Sequence, residues 1–158
     1  MKPILLGLQN PYSDDPRNAL APYPKRSAGW RLWRMMNDVR PIDRRVYMNA
    51  FVRRNLFGLG IPEERAEKQE IARRFVSELQ PGSTIVILGS DLTDYISSVL
   101  TGSLRRMLIH PQVADGFTWR CLPHPSGRSP IYNDATMRKI AGMMLVDILD
   151  HSTGDQQS

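Results

Sequence analysis

The run Ser83-Thr84-Ile85-Val86-Ile87-Leu88 limits what this chain can become more than any other stretch. It is apolar, β-branched and not alternating. That pattern fits a strand buried on both faces, and such strands belong to parallel sheets covered by helices. Gln80-Pro81-Gly82 stops the chain before it and Gly89 after it. Ser90 or Asp91 is placed to cap a helix leaving the strand. Upstream, Pro62 to Leu79 has the clearest helical pattern. Pro62, Glu63 and Glu64 suit its start, and Ile71, Phe75 and Leu79 recur every four residues.

Three further strands follow from short apolar runs: Pro3 to Gly7, Phe51 to Phe57 and Phe117 to Leu122. Helices are expected over Ala28 to Asn37 and Pro41 to Ala50. A final helix, capped by Asn133 or Asp134, carries Met137, Ile140, Met144 and Ile148 on its buried face. Strands alternating with helices predict an α/β fold, a three-layer α/β/α arrangement around a central four-stranded parallel sheet. One domain covers 1–150, and 151–158 reads as a disordered tail. Tyr12 to Lys25 holds three prolines and no periodicity. A connector of that length in a small domain tends to carry function.

No apolar run approaches the roughly 20 residues that cross a bilayer, so no membrane association is expected. Met1 to Gly7 is too short an apolar run for a signal peptide and is needed as a strand, so a cytoplasmic location is expected. Cys121 is the only cysteine, which excludes an internal disulfide and a four-cysteine iron–sulfur cluster. His110, His124 and His151 show no metal-ligand spacing; no metal and no cofactor are expected. The net charge is +5, but Arg17 to Arg54 alone holds ten Lys/Arg against two Asp/Glu. A basic segment on a mildly acidic body fits either a polyanion footprint or an arginine-rich solvated face.

Two short motifs carry the chemistry. Gly7-Leu8-Gln9-Asn10-Pro11-Tyr12 follows the first strand, and Leu122-Pro123-His124-Pro125-Ser126-Gly127-Arg128-Ser129 follows the last. Each puts polar side chains where a strand turns into a proline-rich loop, the end at which open α/β sheets bind ligands. Asn10 can hold a water through its amide oxygen, or Asn-Pro can serve merely as a turn. A neutral imidazole at His124 can donate a hydrogen bond to a developing anion.

Together the motifs resemble the first and second signature loops of the uracil-DNA glycosylase superfamily. The resemblance runs in order through the chain: first loop, Ala28-Gly29 helix, Asn55 strand, second loop. It implies a monofunctional DNA glycosylase that flips a uracil or related pyrimidine out of DNA and hydrolyses its N-glycosidic bond. Asn10 matches the water-positioning residue, which is asparagine in the mismatch-specific branch and aspartate in the faster uracil-specific branch. His124 matches the histidine that stabilises the leaving base. Gln9, Tyr12, Tyr23 and Asn55 fall to substrate binding: Tyr12 at the position that excludes the thymine methyl, Tyr23 (or Trp30) as stacking platform, Asn55 as reader of the pyrimidine edge. Asn55 can equally make a structural hydrogen bond, and Trp30 and Trp33 have helical spacing typical of core. Ser126, Gly127 and Arg128 match the DNA-contacting part of the second loop, with Arg128 filling the hole left by the base or binding phosphate. Asp14 and Asp15 could aid the water or only solvate the loop.

Ser13 stands where the uracil-specific branch has histidine. No lysine lies in either motif, so no lyase step is implied. The partner implied is DNA, bound by a monomer. The alternative is a descendant that keeps the pocket and binds DNA or a modified base without turnover. Neither a dinucleotide glycine loop nor a phosphate-loop lysine is present to favour another nucleotide-binding fold.

Overall fold

The computed structural model describes residues 1–106, 110–128 and 130–157, with backbone alone for 153–157. Along the chain lie β1 (Ile4–Gly7), α1 (Ala28–Val39), α2 (Arg44–Ala50), β2 (Val52–Asn55), α3 (Arg65–Ser77), β3 (Thr84–Leu88), α4 (Ser90–Ser97), β4 (Gln112–Ala114), β5 (Phe117–Leu122) and α5 (Ala135–Gln157). The strands form one sheet in the order β2-β1-β3-β5-β4. The first four in that order run parallel, and β4 lies antiparallel to β5.

The α/β class and the four parallel strands agree with the sequence reading. The sheet nevertheless has five strands and is mixed. The added strand is the edge β4, joined to β5 through Asp115 and Gly116, both with positive φ (55° and 84°). That backbone matches the two-residue hairpin turn for which Asp-Gly is favoured. Three residues are too few for alternation to show in the sequence.

Alternation along each strand separates two cores. Leu5, Val86, Leu88 and Leu122 pack with Leu32, Met36, Tyr47 and Leu145, so α1, α2 and α5 cover one face. Leu6, Ile85, Ile87, Trp119 and Cys121 pack with Phe75, Leu92 and Ile96 of α3 and α4 on the other. Both sides of β3 are therefore buried, as its unbroken apolar run requires.

Several boundaries differ from the sequence reading. α4 begins at Ser90 itself, with Gly89 in the capping position and no side-chain cap. The Thr93 hydroxyl instead donates to the Gly89 carbonyl at 2.8 Å. β2 is shorter than Phe51–Phe57, because Phe51, Leu56 and Phe57 are buried anchors at its two ends. The final helix does not stop at 150: its backbone continues to Gln157, and Ser158 lies outside the described residues. Asp134 accepts the Thr136 N–H at 2.7 Å at the start of that helix. No helix among the described residues is long and apolar enough to cross a membrane.

Candidate functional site

β2 follows β1 on one side, whereas β3 and β5 lie on the other. The order reverses between β1 and β3, and a crevice forms outside the carboxyl ends of strands at such a point. A cleft of about 550 Å³ sits there. Its lining includes Gln9, Asn10, Tyr12 and Asn18 from the first loop, Tyr23 and Ala28 at the start of α1, Asn55 and His124. The volume is in the range of small-molecule sites.

The first loop is held beside β2 by an extension of the parallel ladder. Leu56 N–H donates to Gly7 O at 2.9 Å, Phe57 N–H to Leu8 O at 3.0 Å and Asn10 N–H to Gly58 O at 2.8 Å. Asn10 is thereby fixed through its backbone. Its side-chain oxygen accepts the Tyr12 N–H at 3.1 Å, which makes the Asx turn that Asn-Pro permits. The turn uses one lone pair of the amide oxygen and leaves the second.

Asn55 faces Gly7 across the ladder, and its amide oxygen occupies the space a side chain at Gly7 would need. Asn55 makes no side-chain hydrogen bond among the described residues. Asn55 lines the cleft at the end of β2. Gln9 is exposed on the same wall. Tyr12 and Tyr23 line the cleft with 94% and 50% of their surfaces exposed, so neither ring is fixed by surrounding protein.

His124 is two residues beyond β5, with its Cβ near Gly89 at the end of β3. Burial lowers its pKa below the ordinary imidazole value. The shift favours the neutral imidazole over the imidazolium.

The long loop after Tyr12 is fastened from beneath. Tyr47 OH donates to Leu20 O at 2.8 Å, Arg53 Nη1 to Ala19 O at 2.8 Å and Arg44 Nε to Pro22 O at 3.3 Å. α1 then packs directly on that loop. Ser27 caps it, accepting the Trp30 N–H at 3.2 Å. At Gly29 any Cβ would collide with the carbonyls of Leu20 and Ala21, so only glycine permits this approach. The tethers join positions far apart in sequence, and no local pattern announces them. Asn18, which also lines the cleft, is placed by its Nδ2 donating to Ser13 Oγ at 3.0 Å.

Other candidates lie elsewhere. Trp33 is core, its Nε1 donating to Ile42 O at 2.7 Å. Trp30 borders a separate small cavity with Arg34 and Tyr132, so it does not substitute for Tyr23. Asp15 is engaged by Arg17 at 2.7 Å, and this partner holds its carboxyl below the usual range. Neither Asp14 nor Asp15 lines the cleft. Ser126, Gly127 and Arg128 stand outside it too, Ser126 half-buried and the other two exposed. Ser129, the last residue of the second motif, lies outside the described residues. Among the described residues no group of three or more His, Cys, Asp or Glu could hold a metal ion.

Comparison with protein-family models, with curated proteins and with solved structures finds no match to this chain.

Proposed function

We propose that the protein is a monofunctional DNA glycosylase acting on uracil or a related damaged or mismatched pyrimidine. One observation carries the reading: Asn10 and His124, from opposite ends of the chain, line one cleft together with Tyr23 and Asn55.

In this reading an extruded base stacks on Tyr23, and its polar edge meets the Asn55 amide. Tyr12 stands at the cleft lip, where closing on the base would disfavour a 5-methyl group. The free lone pair of Asn10 orients a water toward C1′. As the C1′–N bond breaks, its electron pair leaves with the base, and His124 donates a hydrogen bond to the oxygen that gains charge. The water oxygen bonds to C1′ and releases its proton to solvent. An amide is a poor base, so most of the rate comes from stabilising the departing anion. Extruding a base costs a few kcal/mol, less at a mismatch, which favours damaged sites.

A second reading, binding without turnover, draws on one specific feature: the Asn10 oxygen already accepts from Tyr12 N–H. The test is incubation with end-labelled oligonucleotides bearing uracil, hydroxymethyluracil or a G·T mismatch, followed by alkaline cleavage of abasic sites. The glycosylase reading expects strand breaks that fall about 10²-fold or more in Asn10→Ala and His124→Ala, with DNA affinity little changed. Binding with no breaks on any substrate supports the second reading instead.

A further inference from the structure

Arg31 sits in the first turn of α1, beside the Ser27–Gly29 stretch that borders the cleft. Its Nε donates to the Arg26 carbonyl at 3.1 Å. Its Nη2 lies 2.9 Å from where a Cβ on Gly127 would stand. The guanidinium therefore bridges the end of the first loop and the tip of the second. A side chain at Gly127 would crowd the Nη2 end of that guanidinium.

Four other arginines of the basic segment have carboxylate partners: Arg17 with Asp15, Arg34 with Asp38, Arg40 with Asp150 and Arg54 with Glu78. Among the described residues Arg31 has none, and neither do Arg26, five positions before it, or Arg128, the neighbour of Gly127. An arginine tethered through Nε and lacking a counter-charge is an oriented cation. Its planar fork matches two oxygens of a phosphate. In the second loop, the Ser126 N–H already donates to His124 O at 2.9 Å and is not available for that role.

We propose that Arg31 binds a backbone phosphodiester of DNA next to the nucleotide in the cleft, with Gly127 making room for both guanidinium and phosphate. The assignment rests on the glycosylase reading for its ligand, but not on turnover. Arg31 is a positioning residue: it fixes where the strand lies and touches no reacting atom.

The experiment measures affinity for an undamaged duplex oligonucleotide across a salt series. Wild type, Arg31→Gln, Arg31→Lys and Gly127→Ala are compared, each with its melting temperature. Arg31→Gln should lower the slope of log K against log salt by about one, since one phosphate contact is lost. Arg31→Lys should keep the slope, and Gly127→Ala should weaken binding by displacing the guanidinium. An unchanged slope in Arg31→Gln, with or without a lower melting temperature, makes Arg31 a strap between loops and overturns the assignment. Failure of the wild type to bind DNA overturns it as well. Because no base need be released, absence of glycosylase activity with the predicted slopes would sink the enzyme reading and leave Arg31 in place.

Discussion

The proposed reaction asks the Asn10 oxygen to serve two partners at once. That oxygen shapes the turn by accepting from Tyr12, and the same atom is the water-holding group of the proposed reaction. Replacement by alanine removes both, so a loss of rate there mixes chemistry with a displaced Tyr12. Asn10→Asp separates them. A carboxylate still accepts the Tyr12 N–H, yet it offers stronger acceptors and a base to the water. The expected outcome is a rate of base release raised on the order of tenfold or more, read in single turnover. A fall in rate would mean that the amide's own donor matters. His124 makes a separate, pH-dependent claim. Its folded pKa lies below the ordinary value because burial disfavours the imidazolium. The active neutral form should persist through pH 7, with an acid limb only below pH ~6.5. The stability sign runs the same way: the unfolded chain takes up the proton first, so stability is full above that value and declines as pH falls through it. NMR titration of the ring against a pH–rate profile checks both; an acid limb above the free imidazole value would contradict the lowered pKa of this half-buried ring.

The long loop from Tyr12 to Lys25 shows how an irregular element is made rigid. Three side chains from α2 and β2, Arg44, Tyr47 and Arg53, each donate to one or more of its carbonyls. Arg44 also stacks on Trp33, 4.4 Å from the ring centroid, which orients its Nε toward Pro22. Tyr47 is fully buried, so Tyr47→Phe leaves the Leu20 carbonyl without its donor. Stability should fall by about 1–3 kcal/mol in denaturant unfolding. Base binding should weaken alongside, because Leu20 and Ala21 line the cleft. The parallel strands and the helices were legible in the sequence because each has its own period or breakers. The apolar run at 84–88 is one example; in α5 Met144 and Ile148 are buried as read, whereas Met137 and Ile140 are only half-buried and Ala141, Leu145 and Leu149 complete the buried face. The site was legible in part. Asn10 and His124 stand three and two residues beyond strand ends, and that is a local signal. The tethers were not, since Arg53 reaches back to Ala19 and Tyr47 to Leu20 through folding alone. β4 was missed for a different reason: three residues at a sheet edge, one of them the exposed Val113, carry almost no burial pattern.

Across the molecule, the strand order places the two motifs together. β1 and β5 are not neighbours; β3 separates them. The first motif and the second thus approach the cleft from opposite sides of the reversal point, with Gly89 at the end of β3 beneath His124. The basic segment is less of an electrostatic stripe than its count implies. Arg17, Arg34, Arg40 and Arg54 have acidic partners, and Arg44 and Arg53 are committed to loop carbonyls. Exposed pairs of this kind contribute little to stability. Among the described residues they leave Lys25, Arg26, Arg31 and Arg45 without a carboxylate partner, and Arg31 is the one that follows the Ser27–Gly29 wall of the cleft. The fastening of the loop from below has a thermodynamic consequence of its own. A receptor whose rim backbone is already held loses freedom only in the Tyr12 and Tyr23 rings when an aromatic guest enters. Calorimetry of free-base uptake should then show a heat-capacity change that tracks only the apolar area covered, without the larger signature of a segment ordering around its guest.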